Sequence, residues 1–143
     1  MYEAIGAVAD GRVEVVDNTA KVYSSSRNKY YDVSYDPLKK AIMSNDNGSY
    51  WKGYLGYPAV AYLMKKGVVS YEPKLGEILK GVPWKDINQK FKNDFEKALE
   101  FILSTKTDNE RRALAEHVAQ VGREIEALEL HMLGDKTKPP EGY

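Results

Sequence analysis

The first third of the chain alternates apolar and polar residues, whereas later segments repeat their apolar residues every three or four positions. The first pattern is that of half-buried strands and the second that of helices. "YEAIGAVADGRVEVVDN" reads as two short strands joined at Asp10-Gly11. Asp-Gly is favoured in a type I′ turn because both central residues need positive φ. In the second run Val13 and Val15 alternate with Arg12 and Glu14, and Asp17-Asn18 marks the next turn. "AKVYSS" and "KYYDVSY" then complete an antiparallel meander of about four strands. Tyr31, Val33 and Tyr35 fall on one face of the last strand, and Tyr30, Asp32 and Ser34 on the other.

From residue 36 onward the expectation is helical. Asp36-Pro37 suits an N-cap followed by proline at the first helical position, which predicts a helix over 37–43 carrying Leu38, Ala41 and Ile42. The Asn/Asp/Gly cluster at 45–48 ends it. Tyr57-Pro58 opens the next helix, apolar nearly all round through "AVAYLM" and closed by Lys65-Lys66-Gly67. A short helix near 73–80 stops at Gly81. Ile87, Phe91, Phe95, Ala98 and Ile102 form one helical stripe, which predicts a single long helix from Pro83 to residue 104. The last helix is expected to begin near Thr107-Asp108, with Glu110 in its first turn, and to run to Gly134. The predicted fold is α+β, a strand layer followed by a helical layer ending in two long helices. It forms a single domain over residues 1–133, with a flexible polar, Pro-rich tail over 134–143.

The last helix carries the most specific spacing. Leu114, Val118, Val121, Ile125, Leu128 and Met132 fall at heptad a and d positions, flanked by the small residues Ala115, Ala119 and Gly122. Such a seam packs on a neighbouring helix, and these six residues are also the interface candidates for a homodimer. The run is shorter than the roughly three to four heptads of a self-sufficient coiled coil. His117 and His131, the only histidines, share the g row of this heptad with Glu110 and Glu124. Neighbours in that row lie about 10 Å apart, too far to share a metal within one helix. The row reads as a solvated or subunit-facing edge, and no metal site is expected.

Composition narrows the function classes. The chain has 143 residues, 21 Lys+Arg against 21 Asp+Glu, and no cysteine. The absence of cysteine removes disulfides, thiolate metal sites and cysteine nucleophiles, and suits a cytoplasmic location. "MYEAIGAVADGR" has no positive n-region and carries Glu3 early, so it does not read as a secretory signal. No apolar run reaches the roughly 18 residues of a membrane span. Residues 65–97 hold eight lysines against five acids, a local excess too mild to favour nucleic acid. The abundance of Lys, Glu and Tyr, with only two glutamines, follows the hyperthermophile pattern. With that composition, and with phrases such as "YWKGYLGYPAVAYLMKKG" and "GVPWKDINQKF", the chain resembles small uncharacterised proteins of hyperthermophilic archaea. The resemblance brings no activity and no functional residues with it.

Familiar reaction motifs are missing. There is no G-x-G-x-x-G, P-loop or G-x-S-x-G, and "MSNDNG" lacks the charged ligands of a calcium loop. Ser24, Ser25 and Ser26 form a turn-like cluster. Chemistry, if any, is expected in the aromatic, glycine-rich stretch "NDNGSYWKGYLGYPAVAYLM", Asn45 to Met64. Tyr50, Trp51, Tyr54 and Tyr57 offer flat apolar walls with polar tips, Lys52 a charge, and Asp46 the one acid among them. The favoured reading of the same aromatics is a plug between sheet and helices, and Tyr62 belongs to the core. The primary expectation is therefore a soluble interaction or assembly protein, homodimeric and without catalysis or cofactor. The alternative is a small-molecule-binding or enzymatic domain with its pocket around residues 45–57, completed by Tyr30 or Tyr31.

Overall fold

The computed structural model describes residues 1–46, 55–132 and 139–140. The chain begins with α1 (Tyr2–Ala9), followed by β1 (Val13–Val16), β2 (Thr19–Tyr23), β3 (Tyr30–Asp36) and β4 (Ala41–Ser44). Then come α2 (Tyr57–Lys66), α3 (Pro73–Leu79), α4 (Trp84–Lys90), α5 (Phe95–Leu103), α6 (Asp108–Leu128) and the short β5 (His131–Met132). The strands form one sheet in the order β1-β2-β3-β4-β5. β1 to β4 are antiparallel neighbours, and β5 adds to β4 in parallel. The α+β class and the four-stranded antiparallel meander are as expected.

The inner face of the sheet is set by the alternation read from the sequence. Val13, Val22 and Val33 are buried on adjacent strands, while Tyr30 is exposed on the opposite face. The all-round apolarity of α2 has its reason in position. It lies against strands β1 to β4 on one side and α1 on the other, so every residue from Pro58 to Met64 is buried. Tyr62 is fully enclosed, with its ring edge-on to Tyr35 at 5.9 Å. Gly67, at φ 81°, closes α2 as the sequence predicts. α1 also packs on α3, and α3 on α6.

Four local expectations are corrected. Residues 2–9 form a helix, not a strand. Its apolar residues Ala4, Ile5 and Ala7 are buried where it packs on α2 and α3. Asp10 is right-handed helical and only Gly11 has positive φ, so the Asp-Gly pair ends a helix and does not make a type I′ turn. The second correction concerns 37–43. Asp36 Oδ1 accepts from the backbone N–H groups of Leu38 and Lys39, both at 3.1 Å, which makes the Asp-Pro pair a turn into β4. Ala41 to Ser44 are all buried, whereas Leu38 is 96% exposed.

Third, the predicted helix 83–104 is two helices. The chain turns at Lys92 and Asn93, which have φ of 53° and 64°, and Asp94 caps the new helix by accepting from Lys97 N–H. Fourth, α6 starts at the predicted place, with a reciprocal capping box between Thr107 and Glu110, but stops short of Gly134. Glu129, at φ 51°, turns the chain back so that β5 pairs with β4. Gly134 itself and most of the predicted tail lie outside the described residues. Among the described residues no helix is long and apolar enough to cross a membrane.

Candidate functional site

The first turn of α1, the β2–β3 turn, the end of β4 and the N-terminus of α2 converge with α4 and α5 around a cavity of about 360 Å³. Drug-sized ligands occupy pockets of roughly 300–1,000 Å³. Trp84 of α4 and Phe95 and Leu99 of α5 provide apolar lining, joined by Leu55. The polar groups are Glu3, Asp46, Tyr31 and Tyr57 together with Lys29, Lys85, Asn88 and the serines 24 and 25. Ser25 Oγ accepts from Lys85 N–H at 2.8 Å, which fixes the first turn of α4 to the β2–β3 turn.

Glu3 is the chemically unusual member. It sits deep, keeps a partial opening toward the cavity, and its carboxyl forms no hydrogen bond or ion pair among the described residues. Its carboxyl pKa is raised to about 7, first by loss of solvent; nearby Asp46 adds to the rise, while Arg12 and the chain's amino group oppose it. Tyr57 is raised well above the ordinary phenol value, mainly by burial, with Glu3 and Tyr31 adding. Its ring meets Tyr31 nearly at right angles, with centroids 6.1 Å apart.

Behind these groups lies Arg12, 1% exposed. Its Nη1 donates to the Tyr23 carbonyl at 3.0 Å, and its Nε is 3.5 Å from Asp10 Oδ2. Nε and Nη2 complete no hydrogen bond. Arg12 does not itself line the cavity, but it stands against Tyr57, which does, and opposes the rise of the Tyr57 phenol; its charge also acts on Glu3.

Asp46 is held by its surroundings. Ser44 Oγ donates to Asp46 Oδ1 at 2.6 Å. The carboxylate packs against Gly56, the N-cap of α2; a Cβ there would lie only 2.6 Å from Asp46 Cγ. A carboxylate at a helix N-terminus meets unsatisfied N–H groups and the positive end of the helix dipole. The basic groups also come as a pair. Lys29 has a lowered pKa, first from loss of solvent and then from the charge of Lys85.

A larger hollow of about 480 Å³ lies over the outer sheet face, between Glu14, Lys21, Asp32 and Met43. It is lined by strand residues alone, and Lys21 stands opposite both Glu14 and Asp32 in the strand registers. The smaller cavity, with its deep carboxyl and converging polar groups, is the better site.

The predicted site residues divide into three groups. Asp46, Tyr57 and Tyr31 meet in the cavity. Tyr30 lies on the outer face, 41% exposed, with Lys21 Nζ 4.8 Å from its ring centroid. Tyr50, Trp51, Lys52 and Tyr54 lie outside the described residues. On α6, Leu114 and Val121 are wholly buried within the chain, and Val118, Ile125 and Leu128 are half-buried against the core. Met132 pairs through its backbone with Ile42; its side chain is outside the description.

The predicted g row is not a uniform solvated edge of one helix, since α6 ends at Leu128 and His131 falls in β5. His117 is buried and its Nε2 has no hydrogen-bond partner, and Glu124 binds Ser70; only His131 is exposed. Among the described residues no three carboxylate or imidazole groups gather as a metal ion would require.

Glu3, Lys29, Trp84 and Lys85 were not singled out by sequence pattern. The one available signal was local: Glu3 and Asp10 are the charges that flank the apolar run "AIGAVA". Every described residue lining the cavity lies within residues 1–131. No curated protein and no solved structure matches the chain. Over residues 1–131 it matches the family described as "Uncharacterised conserved protein UCP014422", and the chain belongs to that family.

Proposed function

We propose that this protein binds a small molecule in the cavity between α1, α2, α4 and α5. The observation that carries the reading is Glu3: an ionisable carboxyl without a hydrogen-bond or ion-pair partner among the described residues, lining a cavity of ligand size. Keeping a carboxylate in such a place is costly unless something compensates it. The apolar lining from Trp84, Phe95 and Leu99 supports a ligand with an organic body. A carboxyl that titrates near neutrality also suits general acid–base chemistry.

Intrinsic fluorescence of a Trp51→Phe variant, in which Trp84 is the remaining tryptophan, follows occupancy of the cavity. A panel of small amines, carboxylates and neutral aromatics should contain at least one class that gives a saturable change and raises Tm. Replacing Leu99 by Trp should abolish it by filling the cavity. No response across the panel, or a response that survives the filled cavity, would count against the site.

The assembly reading has a narrower base. Leu114 and Val121 already serve the chain's own core, which leaves the half-buried Val118, Ile125 and Leu128 for a homodimer seam. Light scattering behind size exclusion decides it: a dimer that Val118→Lys dissociates supports the seam, and a monomer at high concentration removes it. A cytoplasmic location and a thermophilic, archaeal origin remain proposals that rest on the absence of cysteine and the Lys-, Glu- and Tyr-rich composition.

A further inference from the structure

We infer that the acidic, aromatic part of the cavity, formed by Glu3, Asp46, Tyr31 and Tyr57, recognises an organic ammonium group. The inference rests on the cavity being a ligand site and names the chemistry it selects. Asp46 lies close enough to act on the charge of Glu3, and both line the same space. Two carboxylates in one low-dielectric site repel, and a bound cation relieves that repulsion. Tyr31 and Tyr57, packed edge to face, add aromatic lining beside the two acids, and aromatic rings favour ammonium ions.

The apolar lining decides between a bare metal and an organic cation. A hard divalent ion takes six to eight oxygen ligands within roughly 2.6 Å. A cavity of about 360 Å³ lined also by Trp84, Phe95, Leu99 and Leu55 leaves most of such an ion's surroundings apolar. It suits a cation carrying a hydrocarbon or aromatic body. An anion is disfavoured at this end by Glu3 and Asp46; Arg12 stays behind the lining, beside Tyr57 and held by the Tyr23 carbonyl and Asp10. Lys29 and Lys85 mark a second, basic patch on the same cavity, where an anionic substituent of the ligand would be accepted.

Binding should be coupled to the charge of Glu3. Arg12, Asp46, Tyr57 and the chain's amino group act on it electrostatically, and Lys29 and Lys85 share its cavity. Neither histidine lines the cavity. The amino group, its pKa lowered mainly by burial, also loses charge as pH rises and favours a cation in the same direction. Replacing Glu3 isolates the carboxyl's share.

Titration calorimetry with phenethylamine, 2-phenylethanol and 3-phenylpropionate provides the test, because the three share a phenyl body and differ in charge. The amine is expected to bind at least about tenfold more tightly than the alcohol, as one desolvated cation–carboxylate contact implies. Its affinity should rise about tenfold between pH 6 and pH 8, as a carboxyl titrating at about 7 loses its proton. Glu3→Gln should remove most of that rise. Equal binding of amine and alcohol overturns the ammonium inference while leaving the cavity a ligand site. So does an unchanged pH dependence in Glu3→Gln. If none of the three binds, the ammonium inference fails; the cavity reading fails only if the broader panel also gives nothing. Should Glu3→Gln not fold, the amine-to-alcohol ratio of the unaltered protein still decides.

Discussion

Ser70 and Glu124, 54 positions apart, are joined by two hydrogen bonds of 2.7 Å, one from the Ser70 backbone N–H and one from its hydroxyl. They pin the segment between α2 and α3 to the middle of α6, and Gln120 adds a donor to Glu124 at 3.1 Å. Burial by itself would raise the Glu124 carboxyl, but the Ser70 bonds, Gln120 and His117 outweigh it and hold the pKa below the ordinary value. Glu124→Ala should therefore cost about 1–2 kcal/mol near neutral pH, as loss of charged hydrogen bonds does at a partly exposed site. A group with a depressed folded pKa stabilises above its unfolded pKa and loses that contribution as pH falls through the folded one. The difference between the two proteins in urea denaturation should thus shrink below the ordinary value of 4.5.

Glu3 predicts the opposite dependence. Its folded pKa, about 7, stands above the unfolded value of 4.5, so the folded state holds the extra proton between them. Stability should fall as pH rises through that window, by on the order of 2–3 kcal/mol for a shift of this size. Glu3→Gln should flatten that slope and be the more stable protein at pH 8. A parallel pair of stability–pH curves would show that Glu3 is already ionised at pH 5.

The packing of Asp46 on Gly56 is tight enough to test with one methyl group. Gly56 has φ −78°, so alanine meets no backbone strain there; it meets the Asp46 carboxylate. Gly56→Ala should destabilise by about 1–3 kcal/mol, the usual cost of overpacking. Adding Asp46→Ala should recover part of it, giving a favourable coupling in the double-mutant cycle. Additive losses would place the carboxylate elsewhere.

Lys92 lies exposed in the left-handed region between α4 and α5. A residue with a Cβ costs roughly 1–2 kcal/mol in that conformation, and glycine avoids the cost. Lys92→Gly should raise the free energy of unfolding by up to about 1 kcal/mol after the entropy of the more flexible unfolded chain is subtracted. If the two helices instead formed one continuous rod, the same change would destabilise it.

Period and punctuation alone determined a good share of this protein. The alternation in "KYYDVSY" fixed which face of β3 is buried, because side chains in a strand must alternate. The unbroken apolar run of α2 announced an enclosed helix, and Thr107 with Glu110 marked the start of α6. Local signals misled where the same residues serve two structures. Asp36-Pro37 begins helices and turns alike, and Asp10-Gly11 ends a helix as readily as it makes a hairpin. The stripe from Ile87 to Ile102 ran on across the break and masked its marks, Asn93, which tolerates the left-handed region, and Asp94, an N-cap residue.

Only the tertiary structure assembled the cavity. Glu3, Asp46, Tyr57 and Lys85 come from α1, the end of β4, α2 and α4, and no periodicity connects them. Their chemistry follows from shared desolvation and from charges brought together across the fold. A one-dimensional pattern records which residues face inward, whereas the protonation of Glu3 depends on what surrounds it there.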